Sequence, residues 1–393
     1  MPQRRGYPCE GACGGVSSAI LRRPKDGSRL CRACFFAAFE SEVLATIREC
    51  GLLSAGERIA LAVSGGKDST VLAAVLTKLN REHSLGVELV LLSVDEGIRG
   101  YRDDSLDAVR RTAAAREGGG VPLTVVSYKD LYGWSMDEIV GAVGRRNNCA
   151  FCGVFRRQAL ERGAALVGAH KIATGHNADD VAETVLMNLL RGDIARLRRC
   201  AAATTEDAGG VGAAGAAGGS KPTSVPRIKP FIRCYEKEIV LYARHAKLDY
   251  VSTECTYSPG AYRGFAREFI KDLEAIRSSV IGDIVQSALQ WDALQEGEGG
   301  GGAGEEGGGV TGGAAAGAGQ PLPPPARACA RCGFSASGEL CQACLLLAGL
   351  TVGRPRLALT KAGATREEVA AVMAIPSLQA KNAELPKQSG VRE

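Results

Sequence analysis

The sequence predicts an α/β protein in which helices cover both faces of a parallel sheet, with a zinc-binding module near each end of the chain. Three observations lead to this prediction. Short apolar runs alternate with helix-forming runs between residues 36 and 200, and a glycine-rich turn follows the first apolar run. Cysteines occur as CxxC-type pairs towards both ends. Alternating strands and helices are typical of a parallel sheet, and paired cysteines are typical of zinc sites.

Four strands and four helices are predicted in the core. The strands are residues 59–63, 87–94, 123–127 and 171–174, and the helices are residues 69–79, 103–116, 156–167 and 179–190. Helical periodicity returns in residues 236–248 and 262–291. In open parallel sheets, ligands bind beyond the carboxyl ends of the strands. Polar residues follow the first, second and fourth predicted strands, so we expect these three strand ends to form one cleft.

Composition shifts divide the chain into segments. The predicted segments are an N-terminal zinc-binding module (1–35), the α/β domain (36–295), a flexible linker (296–328), a C-terminal zinc ribbon (329–360) and a tail (361–393). An Ala/Gly-rich insertion, residues 201–224, interrupts the α/β domain. The insertion and the linker contain few large apolar side chains, so we predict that they have no fold of their own.

The bulk composition is typical of a soluble globular protein, with 45% hydrophobic and 23% charged residues in 393. The net charge of +5 permits an acidic partner but does not indicate one. No segment offers the roughly 20 apolar residues of a membrane span, and the start of the chain does not read as a signal peptide. We therefore expect a cytoplasmic protein without membrane contact.

The glycine-rich turn after the first strand is the most specific motif. It consists of Ser64, Gly65, Gly66, Lys67, Asp68, Ser69 and Thr70. A strand, a glycine turn and a helix in this order point backbone N–H groups at one spot, which favours binding of a phosphate. Glycine lets the backbone approach the anion, and Lys67 adds positive charge. The spacing differs from that of a Walker A loop, and a plain glycine turn is the alternative interpretation.

Two sets of four cysteines are predicted to bind zinc. The N-terminal set is Cys9, Cys13, Cys31 and Cys34, and the C-terminal set is Cys329, Cys332, Cys341 and Cys344. Four thiolates fill the tetrahedral shell of zinc, so both sites are predicted to be structural. The first N-terminal pair has three residues between its cysteines, where two are more usual. The alternative interpretation is buried cysteines without a metal.

A third cysteine pair, Cys149 and Cys152, has no second CxxC nearby. Arginines flank this pair on both sides and are expected to lower the pKa of the thiols, which makes them reactive. Candidates for a third ligand are Cys50, Cys200, Cys234 and Cys255. Spacing leaves open an iron–sulfur cluster with one free iron, a persulfide–disulfide cycle, a small zinc site, or inert thiols.

Carboxylates and one histidine follow the other strands of the predicted cleft. Asp95 could contact a ribose hydroxyl or a nucleotide-bound metal. His176, Asp179 and Asp180 open a helix after the fourth strand, and carboxylates beside a phosphate site require Mg²⁺ between them. The alternative is helix capping by Asn177 or Asp179, worth about 1 kcal/mol. Only one of the four histidines lies at a strand end, which disfavours a Ser–His–Asp hydrolase.

Two arginine-rich stretches are candidates for RNA contacts. Residues 145–157 and residues 191–199 each contain four arginines, and both border the predicted cleft. Arginine contacts to phosphate dominate nucleic-acid affinity. A solvent-exposed helix face is the alternative interpretation of the same charge.

These motifs resemble the tRNA 2-thiolation enzymes of the ATP-pyrophosphatase superfamily. The resemblance covers roughly residues 5–360, apart from the two low-complexity runs. The motifs that carry it are residues 64–70, 94–98 (Val-Asp-Glu-Gly-Ile), 149–153 (Cys-Ala-Phe-Cys-Gly), 175–180 (Gly-His-Asn-Ala-Asp-Asp), 235–238 (Tyr-Glu-Lys-Glu) and 254–257 (Glu-Cys-Thr-Tyr), with the two terminal cysteine sets. The spacing of the first cysteine pair and the Ala/Gly-rich insertions depart from the family pattern.

The resemblance implies a role for each site residue. The loop of residues 64–70, with Asp95 and His176, would bind ATP. Asp179 and Asp180 would place Mg²⁺ or the activated base. A [4Fe–4S] cluster would be held by Cys149, Cys152 and Cys255, with one iron open for sulfide. Arg156 lies where relatives carry a catalytic basic residue.

The activity that the resemblance implies is ATP-dependent 2-thiolation of the wobble uridine in cytosolic tRNAs of the Lys, Glu and Gln type. ATP would adenylate the C2 carbonyl oxygen, and sulfur from a ubiquitin-like thiocarboxylate carrier would replace AMP. A paralogous second subunit would be the partner. The alternatives are another tRNA-modifying or adenylating enzyme of the superfamily, and a non-catalytic, zinc-stapled RNA-binding subunit.

Overall fold

A computed structural model describes residues 7–114, 120–145, 148–205, 224–253, 255–297, 327–351 and 353. The strands are β1 (Leu21–Arg22), β2 (Arg29–Leu30), β3 (Arg58–Ala62), β4 (Glu88–Asp95), β5 (Leu123–Ser127), β6 (Lys171–Ala173), β7 (Thr204–Thr205), β8 (Arg227–Ile228), β9 (Arg327–Ala328) and β10 (Ser335–Ala336). The helices are α1 (Arg32–Glu49), α2 (Lys67–Glu82), α3 (Arg102–Ala114), α4 (Tyr128–Tyr132), α5 (Met136–Val143), α6 (Asn148–Leu166), α7 (Ala178–Leu190), α8 (Ile194–Cys200), α9 (Glu236–His245), α10 (Tyr262–Ile276), α11 (Val280–Gly297) and α12 (Gln342–Thr351).

The central sheet has the strand order β5-β4-β3-β6-β8-β7. All neighbouring pairs are parallel except β7 and β8, which run antiparallel. β3 therefore lies in the interior of the sheet between β4 and β6. Its apolar run fits this place, because strands of a parallel sheet are buried on both faces. The carboxyl ends of these three strands meet at one edge, as the sequence predicts.

Alternate residues of β3 and β4 point into two different cores. Ile59 and Leu61 join a core with α1, α2 and α9, whereas Ala60 and Leu92 join a core with α4, α6 and α12. Each face of the sheet is thus covered by helices, and the predicted fold class is confirmed. A third core lies between α7, α8, α10 and α11.

The two cysteine-rich ends pack on opposite faces of the sheet. The hairpin of β1 and β2 leads into α1, whose residues Phe35 and Phe39 are fully buried in the first core. The hairpin of β9 and β10 leads into α12, whose residue Leu346 is fully buried in the second core. Helix α1 runs across the predicted boundary at residue 35.

Two helices differ from the sequence prediction. Helix α6 begins at Asn148, eight residues earlier than predicted, because the fully buried Phe151 and Phe155 hold the segment in place. Tertiary packing thus overrides the weak helix propensity of Cys, Phe and Gly. The predicted helix over residues 262–291 is two helices, α10 and α11, with a break at residues 277–279.

Some predicted segments lie outside the described residues. These are most of the Ala/Gly-rich insertion (206–223), most of the linker (298–326) and the chain beyond residue 353. Within the described ranges, none of the helices combines the length and apolar character that crossing a membrane requires.

Candidate functional site

The loop between β3 and α2 presents open N–H groups. Gly66 is the N-cap of α2, and no side chain caps this helix. The first N–H groups of a helix have no partner within the helix, so an uncapped N-terminus can receive an anion. Gly65 has φ of +77°, and a Cβ there would lie 2.6 Å from the backbone oxygen of Ser105. Only glycine fits this position.

Hydrogen bonds fix the shape of the loop. The Ser69 hydroxyl accepts from the Ser64 N–H at 3.1 Å and donates to the Gly66 carbonyl at 3.0 Å. The Ser105 hydroxyl donates to the Ser64 carbonyl at 2.5 Å. The Val251 N–H donates to the Gly65 carbonyl at 2.9 Å. The loop carbonyls are therefore engaged by the protein, while the N-terminus of α2 stays free of side-chain caps.

Lys67 is held by two carboxylates. Its Nζ lies 3.1 Å from Asp68 and 2.7 Å from Glu236, at the start of α9. Burial disfavours the charged amine, but Asp68 and Glu236 outweigh burial and raise the pKa of Lys67. Glu236 also pairs with Lys271 at 3.0 Å. Burial raises the pKa of Glu236, but Lys67 and Lys271 dominate and lower it to about 2.

Sequence reasoning assigned no role to Glu236, although it lies in the motif of residues 235–238. The structure places its carboxylate against Lys67 of the loop of residues 64–70, which is called the phosphate loop below. The only available signal was that motif, because residue 236 is far from residue 67 along the chain.

The carboxylates after β6 are engaged in two different ways. Asp179 is buried, accepts from the Glu236 N–H at 2.7 Å, and pairs with Lys271 at 2.6 Å. Burial raises the pKa of Asp179 despite these partners. Asn177 and Asp180 form a capping box at the start of α7, so the capping interpretation holds for Asn177. Asn177 also donates to Asp68 at 3.2 Å, which joins β6 to the phosphate loop.

These carboxylates do not form a metal cage by themselves. Among the described residues, only the two terminal cysteine sets bring three or more candidate ligand atoms within 4.8 Å of one another. Mg²⁺ is usually held by one or two carboxylates together with phosphate oxygens. Asp180 is more exposed than Asp179, and so it is the more accessible of the two carboxylates.

Asp95 and His176 lie on either side of the loop. Asp95 is buried at the end of β4, where its carboxylate accepts from the Gly97 N–H and from the Arg102 guanidinium, both at 2.9 Å. A shallow cleft, partly open to solvent, is lined by Asp95 and Ser64. His176 is exposed at the end of β6, with Nδ1 2.8 Å from the Thr174 hydroxyl. The three predicted strand ends therefore meet.

The third cysteine pair lies on the first turns of α6. Cys149 is exposed, and Cys152 and Cys255 are half-buried. The Arg156 guanidinium lies 2.9 Å from Glu96 and 3.5 Å from the Cys152 sulfur. Cys255 influences both Cys149 and Cys152 electrostatically, but the three sulfurs do not all lie within 4.8 Å of one another. A single zinc ion would need sulfurs about 3.8 Å apart, so this wider set does not fit a single-ion site.

The prediction that these thiols have a lowered pKa is wrong. Burial raises the pKa of both Cys149 and Cys152, and the Cys255 thiol adds to the rise. Arg156 lowers the pKa of both thiols but does not outweigh burial. Removal of thiols from water disfavours the thiolate more strongly than one nearby cation favours it.

The two terminal cysteine sets fit zinc. In each set the four sulfur atoms lie within 4.8 Å of one another. The longer spacing after Cys9 still brings Cys13 into the N-terminal set. Backbone N–H groups point at the sulfurs, including Cys31 to Cys9 at 3.2 Å and Cys341 to Cys329 at 3.2 Å. Such bonds stabilise thiolates, and four thiolates complete a tetrahedral zinc shell.

The arginine-rich stretches lie on α6 and around α8. Arg196 pairs with Asp193 at 3.3 Å and is largely exposed. Arg145 is also exposed, just before α6. Both the RNA-contact and the solvent-exposed interpretations remain compatible with these positions.

Comparison with known proteins assigns the chain to a family. Residues 37–273 match a family described as a PP-loop domain, and residues 327–358 match one described as a zinc-ribbon. Cytoplasmic tRNA 2-thiolation protein 1 of Chlamydomonas reinhardtii is 51% identical over 370 residues, covering 94% of this chain and 91% of that protein. The protein of the same name from Drosophila melanogaster is 51% identical over 356 residues, covering 90% and 91%.

One solved structure is similar in both sequence and fold. The U34-tRNA thiolase NcsA from Methanococcus maripaludis, with its [4Fe-4S] cluster, is 30% identical with a TM-score of 0.60. The match covers 74% of this chain and 87% of that chain. The family match, the relatives and the site geometry agree, and the chain belongs to the cytoplasmic tRNA 2-thiolation protein 1 family of PP-loop proteins.

Proposed function

We propose that this protein is a cytoplasmic tRNA-uridine 2-sulfurtransferase that uses ATP to thiolate the wobble uridine. The observation that carries the proposal is the placement of an uncapped phosphate loop and a cysteine-bearing helix at one edge of the sheet. A nucleotide and a sulfur source can meet there. The similarity to a U34-tRNA thiolase supports the choice of substrate.

Activation of the uridine is assigned to the phosphate loop. The uracil C2 oxygen is a poor leaving group. It therefore first attacks the α-phosphate of ATP and displaces pyrophosphate, and sulfur then attacks C2 and displaces AMP. The N–H groups of the loop and Lys67 stabilise the negative charge on the departing pyrophosphate. Lys67 must exchange Glu236 for phosphate oxygens when ATP binds. Asp95 and His176 flank the nucleotide, and Asp180 is the proposed carboxylate for a nucleotide-bound Mg²⁺.

Sulfur transfer is assigned to α6. Cys149, Cys152 and Cys255 would hold a [4Fe–4S] cluster, whose fourth iron supplies an open position for sulfide. The wide separation of three thiols fits a cluster better than one ion. Arg156 is positioned by Glu96 to donate to the C2 oxygen as charge develops there.

The finer parts of the proposal concern domains and partners. The division into modules 1–35, 36–295 and 329–360, with two structural zinc ions, stays a prediction. So do the tRNAs of the Lys, Glu and Gln type, the ubiquitin-like sulfur carrier and the paralogous second subunit. Each follows from the family resemblance, and the exposed arginines near α6 and α8 support binding of RNA phosphates.

Metal content and turnover of the full chain test the proposal. After purification without oxygen, we expect about four irons and two zincs per chain, with iron lost in Cys255→Ala. Cys50→Ala is the matched control, because Cys50 is an exposed cysteine at the end of α1. Lys67→Ala should abolish pyrophosphate release and thiolation but keep the metals.

Two results would contradict the proposal. Zinc without iron, with thiolation retained in Cys149→Ala, would remove the cluster and favour a different adenylating enzyme. Thiolation in cells that is unchanged by Lys67→Ala would favour a non-catalytic RNA-binding subunit.

A further inference from the structure

Helix α6 carries two separate groups of polar residues. At about 100° per residue, Cys149, Cys152 and Arg156 lie on one side of the helix. Gln158 and Arg162 lie roughly 120° further round. Both of these residues are buried, at 6% and 3% exposure. The second side faces the C-terminal zinc ribbon, residues 327–351, through contacts of α6 with α12.

Gln158 donates hydrogen bonds to zinc-ribbon sulfurs. Its Nε2 lies 3.2 Å from the Cys341 sulfur and 3.6 Å from the Cys332 sulfur. These are contacts from the α/β domain to two predicted metal ligands. Groups that hydrogen-bond to metal ligands fix their orientation and tune the affinity for the metal.

Arg162 lies between the α/β domain and the ribbon. Its guanidinium is 5.5 Å from the ring centroid of Tyr132 on α4 and 5.5 Å from that of Phe334 in the ribbon. In the described part of the chain, its Nε and Nη1 have no hydrogen-bond partner. Arg331 of the ribbon is also buried, with the same two atoms unpartnered.

A zinc ion bound by the four cysteines would give these two buried cations an opposite charge. Four thiolates and one Zn²⁺ carry a net charge of about −2. Three of the four cysteines are buried, and a buried charge is costly unless opposite charge lies near it. Arg162 on α6 and Arg331 in the ribbon are buried residues with charge of that sign, one on each side of the contact.

We propose that the C-terminal zinc ribbon fixes the orientation of α6, and that Gln158 and Arg162 are the positioning residues of this contact. The hydroxyl of Tyr128 donates to the Cys152 carbonyl at 3.0 Å. Tyr132, in contact with Arg162, donates to the Phe155 carbonyl at 2.9 Å. The ribbon thus acts, through Arg162 and Tyr132, on the turns of α6 that follow Cys149 and Cys152. The consequence for an iron cluster rests on the proposed function, whereas the contact itself does not.

Two variants of the zinc-loaded full chain test this proposal. Gln158→Leu removes the N–H donor at similar size, and Arg162→Met removes the charge. Gln286→Leu is the matched control, because Gln286 is an exposed helical glutamine on α11. The measurements are zinc release to a chromogenic chelator and hydrogen exchange of α6 amides. The two zinc sites are expected to release zinc in separate kinetic phases. Cys344→Ser removes a ligand of the C-terminal site, so the phase that is missing in this variant belongs to that site.

We expect zinc release on the order of 10- to 100-fold faster in Gln158→Leu, the usual effect of losing a hydrogen-bond partner of a metal ligand. Arg162→Met should also release zinc more than twofold faster, because it removes a positive charge beside the thiolates. Protection of α6 amides should fall, while protection of α2 should stay as in the wild type. Arg162→Lys, which keeps the charge, should recover most of the α6 protection. Gln286→Leu should match the wild type.

Three outcomes would overturn the proposal. The first is zinc release from both variants within twofold of the wild-type rate. The second is faster zinc release with unchanged hydrogen exchange of the α6 amides. The third is a loss of amide protection over the whole protein in Arg162→Met that Arg162→Lys does not restore. Iron uptake is measured in parallel. If the wild type takes up no iron, the proposed function fails, but zinc release and α6 exchange still test the contact.

Discussion

Glu236 competes with phosphate for Lys67, and Glu236→Gln tests this competition. The pKa of Glu236 is lowered from 4.5 to about 2 because the attraction of Lys67 and Lys271 outweighs burial. At about 1.4 kcal/mol per pKa unit, the net effect of the two lysines, after the cost of burial, favours the carboxylate by roughly 3 kcal/mol. Both lysines lie within hydrogen-bonding distance of Glu236. Lys67 therefore accounts for about half, or ~1.5 kcal/mol.

The variant should bind ATP more tightly and fold less stably. Release of Lys67 from an interaction of ~1.5 kcal/mol corresponds to about tenfold higher ATP affinity. Loss of the ionic interaction should lower the free energy of unfolding by up to about 3 kcal/mol. Titration calorimetry with ATP gives the first quantity, and denaturant unfolding gives the second. Glu268→Gln is the control, because Glu268 is an exposed residue of α10.

The pH dependence has a defined sign. The pKa of Glu236 is depressed in the folded state, so its contribution to stability is complete above pH 4.5 and is lost as the pH falls towards 2. Glu236→Gln should lack this loss. Weaker or unchanged ATP binding by a folded Glu236→Gln variant would refute the competition, since it would show that Glu236 does not oppose the phosphate.

Two further predictions concern the phosphate loop and the N-terminal module. Gly65→Ala should weaken ATP binding at least tenfold, since the φ of +77° and the 2.6 Å contact each strain the loop; Gly141→Ala, where a Cβ meets nothing within 4 Å, should bind ATP normally. Arg23→Met leaves the fully buried Glu238 carboxylate without its partner and should cost about 3–5 kcal/mol in denaturant unfolding. Arg110→Met removes an exposed pair with Asp107 and should cost under about 1 kcal/mol. An equal loss of unfolding free energy in both arginine variants would show that the buried ion pair stabilises the fold no more than the exposed pair does.

The order of the elements was largely readable from the sequence. The strands β3, β4 and β6 begin or end within one residue of the prediction, because continuous apolar runs mark strands buried on both faces. The start of α6 was not readable, since the residues that precede Arg156 have poor helix propensity. Packing of Phe155 against Tyr128 and Tyr132, and of Phe151 against Phe155, decides that start.

The site was readable only in part. The loop of residues 64–70 and the capping of α7 by Asn177 follow from local rules, and the structure shows both. The pKa of Cys149 and Cys152 was predicted with the wrong sign, because flanking arginines are visible in a sequence and burial is not. Spacing left four candidates for the third cysteine, and only the family resemblance selected Cys255.

The sequence by itself determined the chemistry of each segment: a phosphate loop between a strand and a helix, two sets of four thiols, and a third cysteine pair. These features depend on residues within a few positions of one another, so local rules are sufficient. The tertiary structure alone decided which side chains that are distant along the chain come into contact. Lys67 meets Glu236 across 169 residues, and Gln158 meets Cys341 across 183. Such contacts arise from packing on the two faces of one sheet, and no local pattern encodes them.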